Sequence, residues 1–372
     1  MLKKKLVAFS VVAIAASLFV APSAHAGAKP ASKATVGDQC LRAGVKAAGR
    51  GVNGTDLTCT AVTTGSFAGS LRWWYSDLKP FGSLEWVASS AIGGGYGTTA
   101  IAIGDAMKKE GLLKDYTVTY KTNAPLGLGY FYDQKGRNDI LLITGFAMPG
   151  GLATNGSKLT ITTAKAVAGV MREAEAFVVP TSSKYKSIQD LLTDLKANPK
   201  AVAIGGGNYG GVDHVTVATL AATVGVKATD LNYIPYSGGG SLTPDVIGGR
   251  VAVGIAGTSE FASYVAAGKM RVLAVTSPKP LKVIKGKTLV QQGVNLTFGN
   301  WRGILAPADL SAADYLNTLK IIDILHASDS WKATLVAKSW IDEYRNGDAF
   351  STWLKQENSD ILSVLTDFKL VK

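Results

Sequence analysis

Residues that build metal centres and thiol sites are scarce in this sequence, which has only two cysteines and three histidines among 372 residues. His214 and His326 lie far apart in the chain, and neither belongs to a cluster with the spacing of metal ligands. We therefore expect no metal site and no cofactor.

Long apolar runs are missing except at the N-terminus. Lysines occupy positions 3–5, residues 6–20 are almost wholly apolar, and Ala24-His25-Ala26 fits the small-x-small cleavage rule. The pattern predicts a signal peptide over residues 1–26, and a retained membrane anchor is the alternative. The apolar run is short for a span of about 20 residues. We expect a soluble monomer outside the cytoplasm, in the periplasm or cell envelope.

The two cysteines, Cys40 and Cys59, form an even pair. In an exported chain such a pair predicts a disulfide, because the compartment is oxidising, and two free buried thiols are the alternative. The segment 27–80 that holds them has several glycines and few long apolar runs. We expect it to be a small, β-rich, disulfide-stapled appendage.

Sequence motifs of common enzymes are also missing. There is no G-x-S-x-G elbow, Gly286-Lys287-Thr288 lacks the upstream glycine of a P-loop, and the glycines at 93–97 fail the G-x-G-x-x-G spacing. His214 follows Asp213, but no nucleophile is linked to it in the sequence. We expect a protein that is not an enzyme, and a secreted hydrolase with His214 as general base is the weaker alternative.

Positive charge is in excess, with a formal net charge of +12. Beyond the N-terminal lysines, the basic residues are scattered rather than clustered, which argues against a dedicated nucleic-acid surface. We expect no nucleic-acid partner, and the charge remains compatible with an anionic solute.

Three glycine-rich turns dominate what is present, at residues 92–99, 205–211 and 236–241. Each follows a strand-like run and precedes a helix-like run. Glycine lets the backbone approach a ligand closely, and the start of a helix offers unpaired N–H groups with a positive dipole end. The turns therefore predict a receptor that holds a small anion mainly with its main chain. The predicted ligand-binding residues are Gly94, Gly95, Tyr96, Gly97, Thr98, Gly206, Gly207, Asn208, Tyr209, His214, Ser237, Gly238 and Gly239, with Thr258 and Ser259 as weaker candidates.

From residue 84 onward, strand-like and helix-like runs alternate, which is typical of an α/β fold with largely parallel sheets. Ligands of such sheets bind beyond the carboxyl ends of the strands, where the glycine turns lie. Two lobes facing one another across a cleft account for three turns so far apart in sequence. We expect lobe 1 to comprise residues 81–175 and 277–372, and lobe 2 to comprise residues 176–276.

Four segments carry a family resemblance, in the order of the chain. Residues 84–100 with Gly-Gly-Gly-Tyr, residues 205–214 with Gly-Gly-Val-Asp-His, residues 233–249 with Pro-Tyr-Ser-Gly-Gly-Gly, and residues 300–307, Asn-Trp-Arg-Gly-Ile-Leu-Ala-Pro, resemble the substrate-binding proteins of tripartite tricarboxylate transporters, the Bug-type extracytoplasmic solute receptors. The resemblance covers about residues 81–372.

The resemblance implies a two-lobed, periplasmic-binding-protein-like fold of the Venus-flytrap type II class. It also implies capture of a di- or tricarboxylate and its delivery to a two-component membrane permease with a large and a small subunit. Carboxylates in this family are typically held by main-chain N–H groups, hydroxyls and water rather than by arginine. A receptor that senses a carboxylate for a signalling partner is the alternative function.

One position departs from the family pattern. An acidic residue commonly follows the first glycine-tyrosine element, where this chain has Gly97. We expect this difference to affect which carboxylate fits.

Overall fold

The computed structural model describes residues 28–371, so the predicted signal peptide at 1–26 lies outside the described residues. The strands are β1 (Lys46–Ala47), β2 (Leu57–Val62), β3 (Ser70–Trp74), β4 (Phe81–Ala88), β5 (Leu113–Tyr120), β6 (Ile140–Gly145), β7 (Lys165–Glu173), β8 (Glu175–Pro180), β9 (Ala203–Gly206), β10 (Asn232–Pro235), β11 (Val253–Gly257), β12 (Met270–Val275), β13 (Asn300–Ala306) and β14 (Arg345–Asn346). The α-helices are α1 (Gly95–Lys109), α2 (Ala124–Asp133), α3 (Ala147–Thr154), α4 (Ile188–Ala197), α5 (Val212–Ala222), α6 (Gly239–Ile247), α7 (Thr258–Ala266), α8 (Ala312–Ala327), α9 (Asp329–Lys338) and α10 (Asp348–Asp367). Within residues 28–371, none of the helices is long and apolar enough to cross a membrane.

The N-terminal appendage is a three-stranded antiparallel sheet, in the order β1-β2-β3. The predicted disulfide between Cys40 and Cys59 is confirmed. The appendage packs on the first lobe, because Tyr75 Oη donates a hydrogen bond to Asp323 Oδ2 at 2.6 Å. Lys320 Nζ, from the first lobe, lies 2.7 Å from an oxygen of Asp77.

The rest of the chain forms two lobes, each built on one sheet, so the expected α/β architecture is confirmed. The six-stranded sheet has the order β14-β7-β13-β6-β4-β5, and the five-stranded sheet has the order β10-β9-β11-β8-β12. Without β14, the two sheets share one topology. In the six-stranded sheet, β4 lies between β5 and β6, and β13, which comes from the other lobe, lies between β6 and β7. In the five-stranded sheet, β9 lies between β10 and β11, and β8, which comes from the other lobe, lies between β11 and β12.

The sheets are mixed rather than largely parallel, which corrects the expectation from the sequence. Strand β4 is parallel to β5 and β6, but β13 runs antiparallel to both β6 and β7. In the second sheet, β9 is parallel to its neighbours, whereas β8 is antiparallel to β11 and β12. The reversed strands are those that enter a sheet from the other lobe. As a result, β13 begins at the same sheet edge at which β4 and β6 end.

The lobes are connected at Ala174, between β7 and β8, and by the segment between β12 and β13. They also touch elsewhere, because Val212 and Val215 of the second lobe belong to the hydrophobic core of the first. Within the connecting segment, Leu289 and Val294 pack in the core of the second lobe. That core therefore continues well beyond residue 276, where the sequence predicted the lobe boundary.

Candidate functional site

A cavity of about 220 Å³ lies between the lobes, at the edge where the glycine turns meet. Four helices, α1, α5, α6 and α7, begin at its wall. Each is preceded by a glycine that lines the cavity and forms no side-chain cap, and these residues are Gly94, Gly211, Gly238 and Gly257. The first N–H groups of an α-helix have no partner within the helix, and they carry the positive end of its dipole. The cavity is therefore enclosed by helix ends that favour negative charge.

The structure brings seven of the predicted ligand-binding residues together at this cavity. They are Gly94, Gly95, Tyr96, Gly207, Asn208, Ser237 and Gly238. The other eight lie outside its lining, and they are Gly97, Thr98, Gly206, Tyr209, His214, Gly239, Thr258 and Ser259. All three turns thus contribute residues to one cleft. About half of the predicted ligand-binding residues lie behind its lining.

Gly97 lies behind the wall, inside the first turn of α1. It is buried, and the side chain of Tyr120 occupies the space that a Cβ would need. The next residue, Thr98, is part of the helix and donates its N–H to Gly94 O at 3.0 Å. Gly97 is thus explained by close packing of α1 on β5, and its position lies away from the cavity.

His214 and Tyr209 hold the second turn in shape. Gly210 donates its N–H to Nδ1 of His214 at 3.1 Å, and the imidazole stacks on Tyr233 with ring centroids 4.2 Å apart. Burial lowers the pKa of His214 to about 4, so the imidazole is neutral at physiological pH. Tyr209 is half exposed and donates its hydroxyl to Tyr233 O at 3.0 Å. Both residues support the loop through bonds to the protein itself.

The remaining predicted residues are also engaged with the protein. Gly206 ends β9 against the hydroxyl of Tyr233. Thr258 is fully buried and donates its N–H to Ala174 O at 2.9 Å, next to the connection between the lobes. Ser259 donates its N–H to an oxygen of Glu173.

Arg302 lines the cavity but was not among the ligand-binding residues predicted from the sequence. It lies on β13 and is only 6 % exposed. Two glycines make room for it, because a Cβ at Gly95 would lie 2.5 Å from Nη2 and a Cβ at Gly145 would lie 2.7 Å from Nη1. The guanidinium carbon lies 4.7 Å from the ring centroid of Tyr96, and Nη1 donates to the side chain of Asn300. The guanidinium is thus held in place at the first-lobe side of the cavity.

Among the described residues that line the cavity from the first lobe, three have a buried polar atom without a hydrogen-bond partner. These atoms are the hydroxyl oxygens of Ser89 and Ser90 and the Nε of Arg302. An unsatisfied buried donor costs about 1–3 kcal/mol. Such groups are expected where a ligand supplies the partner, and a carboxylate accepts hydrogen bonds from hydroxyls and guanidinium alike.

The second-lobe side of the cavity is acidic. Asp213, at the start of α5, accepts the N–H of Gly207 at 2.6 Å, and Glu260, on α7, accepts the N–H of Gly239 at 2.7 Å. Two of the turn N–H groups that the sequence assigned to a ligand are therefore bound to carboxylates of the protein. These turns are glycine-rich partly because a Cβ at Gly207 or Gly239 would lie within 3 Å of these carboxylate oxygens.

Two further carboxylates lie behind this side. Glu173 accepts the N–H of Ser259 at 2.9 Å, and Glu175 is fully buried. Burial, together with the charges of Asp213 and Glu173, raises the pKa of Glu175 well above its usual range. Burial also raises the pKa of Asp213 to about 6, although the Gly207 N–H and the charge of Arg302 oppose the rise. Burial and the neighbouring charges of Glu173 and Asp213 raise the pKa of Glu260 to about 7.

The sequence does contain a signal for the charged site residues that were not predicted from it. Arg302 interrupts an otherwise largely apolar strand, and Glu173 and Glu175 flank the junction of two largely apolar strands. Charged side chains are almost never fully buried unless they are paired or serve a function. Three charges within core strands could therefore have been singled out as site residues.

A larger groove of about 1,100 Å³ lies between the appendage and the helices α8 and α9. Its lining includes exposed residues of the appendage and includes none of the glycine turns. The buried unpartnered donors and the helix ends lie at the interlobe cavity, which is therefore the candidate site.

Comparison with known proteins supports the expected family. The sequence model of the tripartite tricarboxylate transporter family receptor matches residues 157–320. A curated protein of Cupriavidus necator, described as a UPF0065 protein in the gbd 5' region, is 30% identical over 131 residues, which are 35% of this chain and 39% of that protein. The chain thus matches about two fifths of the length of this curated relative.

Solved structures of two Rhodopseudomonas palustris proteins share the fold. MatC with bound malate has a TM-score of 0.65 at 16% identity, over 77% of this chain and 100% of that chain. A protein with adipate has a TM-score of 0.66 at 19% identity, over 78% of this chain and 99% of that chain. The expected two-lobed, periplasmic-binding-protein-like fold is confirmed. The matching family is one of receptors, not of enzymes.

Proposed function

We propose that this chain, which carries the sequence match and the fold of a tripartite tricarboxylate transporter family receptor, captures a di- or tricarboxylate between its lobes outside the cytoplasm. One observation carries the proposal. The cavity presents the buried, unpartnered donors of Ser89, Ser90 and Arg302 beside the N-terminus of α1. A carboxylate satisfies these donors, and in a buried setting such charge-assisted hydrogen bonds are strong.

Arg302 gives this chain a direct cationic contact for the solute, in addition to the main-chain groups that the family resemblance implies. Its guanidinium is preorganised by Asn300 and by the ring of Tyr96. Because it lies on the first lobe and the second and third turns lie on the other, a bound solute contacts both lobes and favours the closed arrangement. The closed form is then the one that a two-component permease receives.

The experiment is a thermal-shift and calorimetric screen of the purified protein against mono-, di- and tricarboxylates, with sugars and nucleosides as controls. A solute present at 100 times its dissociation constant stabilises the native state by about 2.7 kcal/mol. We expect a rise in Tm with at least one carboxylate and with none of the uncharged controls. Stabilisation by sugars or nucleosides alone would overturn the proposal.

A further inference from the structure

The two sides of the cavity carry different kinds of polar group. Its first-lobe side carries donors, among which Ser89 is 7 % exposed and Arg302 is 6 % exposed, and each has a buried polar atom without a protein partner. Its second-lobe side carries the carboxylates of Asp213 and Glu260. These carboxylates already accept turn N–H groups on the second lobe, so one side of the cavity offers unpartnered donors and the other offers acceptors.

The acidic side carries more carboxyl groups than Arg302 alone can pair with. Asp213 and Glu260 line the cavity, and Glu173 and Glu175 stand behind them. Among the described residues that line the cavity, Arg302 is the one lysine or arginine, and His214 behind the second turn is kept neutral by burial. A solute that offers only carboxylates would place further negative charge against this side, where like charges repel strongly in a low-dielectric setting.

A metal ion does not account for the acidic side. Within the described part of the chain, no group of three or more His, Cys, Asp or Glu side chains is arranged to hold one. The carboxylates are spread over β7, β8, α5 and α7, and three of them already accept a backbone N–H. The arrangement fits a cation with several N–H donors, which can be shared among separate acceptors.

We propose that the solute is an aminocarboxylate, with a carboxylate on Arg302, Ser89 and Ser90 and a cationic nitrogen facing Asp213 and Glu260. This inference rests on the proposed function and narrows its substrate class. The negative end of the solute faces the donors of the first lobe, and its positive end faces the carboxylates of the second lobe. A plain dicarboxylate of the same length satisfies only the first-lobe side.

The test compares ligands that differ only in an amino group, by isothermal titration calorimetry on the full-length mature protein. The pairs are propionate and alanine, succinate and aspartate, glutarate and glutamate, and adipate and 2-aminoadipate. We expect the amino member of at least one pair to bind tighter by roughly tenfold or more. We also expect proton release on its binding near pH 7, because an ammonium group stabilises the charged forms of Asp213 and Glu260.

A plain dicarboxylate gives the opposite proton linkage, because its added charge favours uptake of protons by these side chains. The two linkages are separated by titrating in buffers of different ionisation enthalpy. The variant Glu260→Gln should reduce the preference for the amino member about tenfold, and Asp115→Asn, an exposed carboxylate on β5, is the matched control.

The outcomes separate the two proposals. Plain carboxylates that bind as tightly as their amino partners, with proton uptake, would overturn the aminocarboxylate assignment and leave carboxylate capture intact. If no member of any pair and no tricarboxylate binds, the proposed function itself fails. A preference for the amino members that Glu260→Gln leaves at its wild-type size would also overturn the assignment, since the selectivity would then arise elsewhere.

Discussion

The guanidinium of Arg302 packs against the backbone of Gly95, so closely that a Cβ on residue 95 would lie 2.5 Å from Nη2. The glycine at the start of α1 is therefore required by an arginine more than two hundred residues later in the chain. We predict that Gly95→Ala displaces the guanidinium and weakens solute binding by roughly tenfold. Calorimetry with the solute found in the screen measures the change.

Gly82→Ala is the matched control for that substitution, because Gly82 is exposed and a Cβ there has no atom within 4 Å. Its affinity should equal that of the wild type. Equal affinities for Gly95→Ala and wild type would show that the packing of Arg302 has no bearing on binding.

Arg302 itself provides the strongest prediction. A hydrogen bond to a charged group contributes about 1.5–3 kcal/mol, so Arg302→Gln should weaken carboxylate binding by about 10- to 100-fold. Arg302→Lys should retain part of the affinity, because it keeps the charge but loses the planar fork. Arg250→Gln, at an exposed arginine paired with Asp245, is the control. Unchanged affinity in Arg302→Gln would remove Arg302 from the site.

The acidic side predicts how stability depends on pH. Because the pKa of Glu260 is raised from 4.5 to about 7, the folded protein keeps a proton that the unfolded chain releases between these values. The stability contributed by this group is therefore full at low pH and is lost as the pH rises toward 7. The free energy of unfolding of the ligand-free wild type, measured in denaturant titrations relative to Glu260→Gln, should fall by about 2 kcal/mol between about pH 5 and pH 7.5. Parallel curves for the two proteins would contradict the raised pKa.

His214 is predicted to support structure instead of chemistry. His214→Ala removes the acceptor of the Gly210 N–H and the ring that stacks on Tyr233. The free energy of unfolding should fall by about 1–3 kcal/mol in denaturant titrations. Ester or amide turnover by the wild type that disappears in His214→Ala would instead support the hydrolase alternative.

The disulfide should stabilise the protein without affecting the site. Replacing Cys40 and Cys59 together by alanine removes a bridge between residues 19 apart, which should cost about 3 kcal/mol of unfolding free energy. None of the described appendage residues, 28–80, lines the interlobe cavity, so solute affinity measured below the lowered Tm should match the wild type. A large loss of affinity would show that the appendage acts on the cleft.

The sequence predicted the position of the glycine turns but not the reason for all of their glycines. The alternation of strands and helices placed the turns at the carboxyl ends of strands, which is where β4, β9 and β10 end. Much of the glycine content serves the protein's own side chains. A Cβ at Gly95, Gly207 or Gly239 would crowd Arg302, Asp213 or Glu260, and these pairs of residues come together only in the folded chain.

Other parts of the site depend on packing that a sequence pattern does not contain. The space at Gly97 is filled by Tyr120, from a neighbouring strand, so the departure from the family pattern has a local packing cause. Arg302 reaches the cavity because β13 runs antiparallel to β6, which brings its first residues to the carboxyl edge of the sheet. The sequence predicted largely parallel sheets, and under that prediction Arg302 would lie at the opposite edge.

The small molecule that co-purifies with the protein is the most direct test of a carboxylate held at Arg302 in the interlobe cavity. Wild type and Arg302→Gln are purified from the same medium without a denaturing step, and the released compounds are identified by mass spectrometry. We predict a carboxylate in about one equivalent from the wild type and little or none from the variant. A compound without a carboxyl group, or the same carboxylate in equal amount from both proteins, would show that Arg302 does not hold a carboxylate in this cavity.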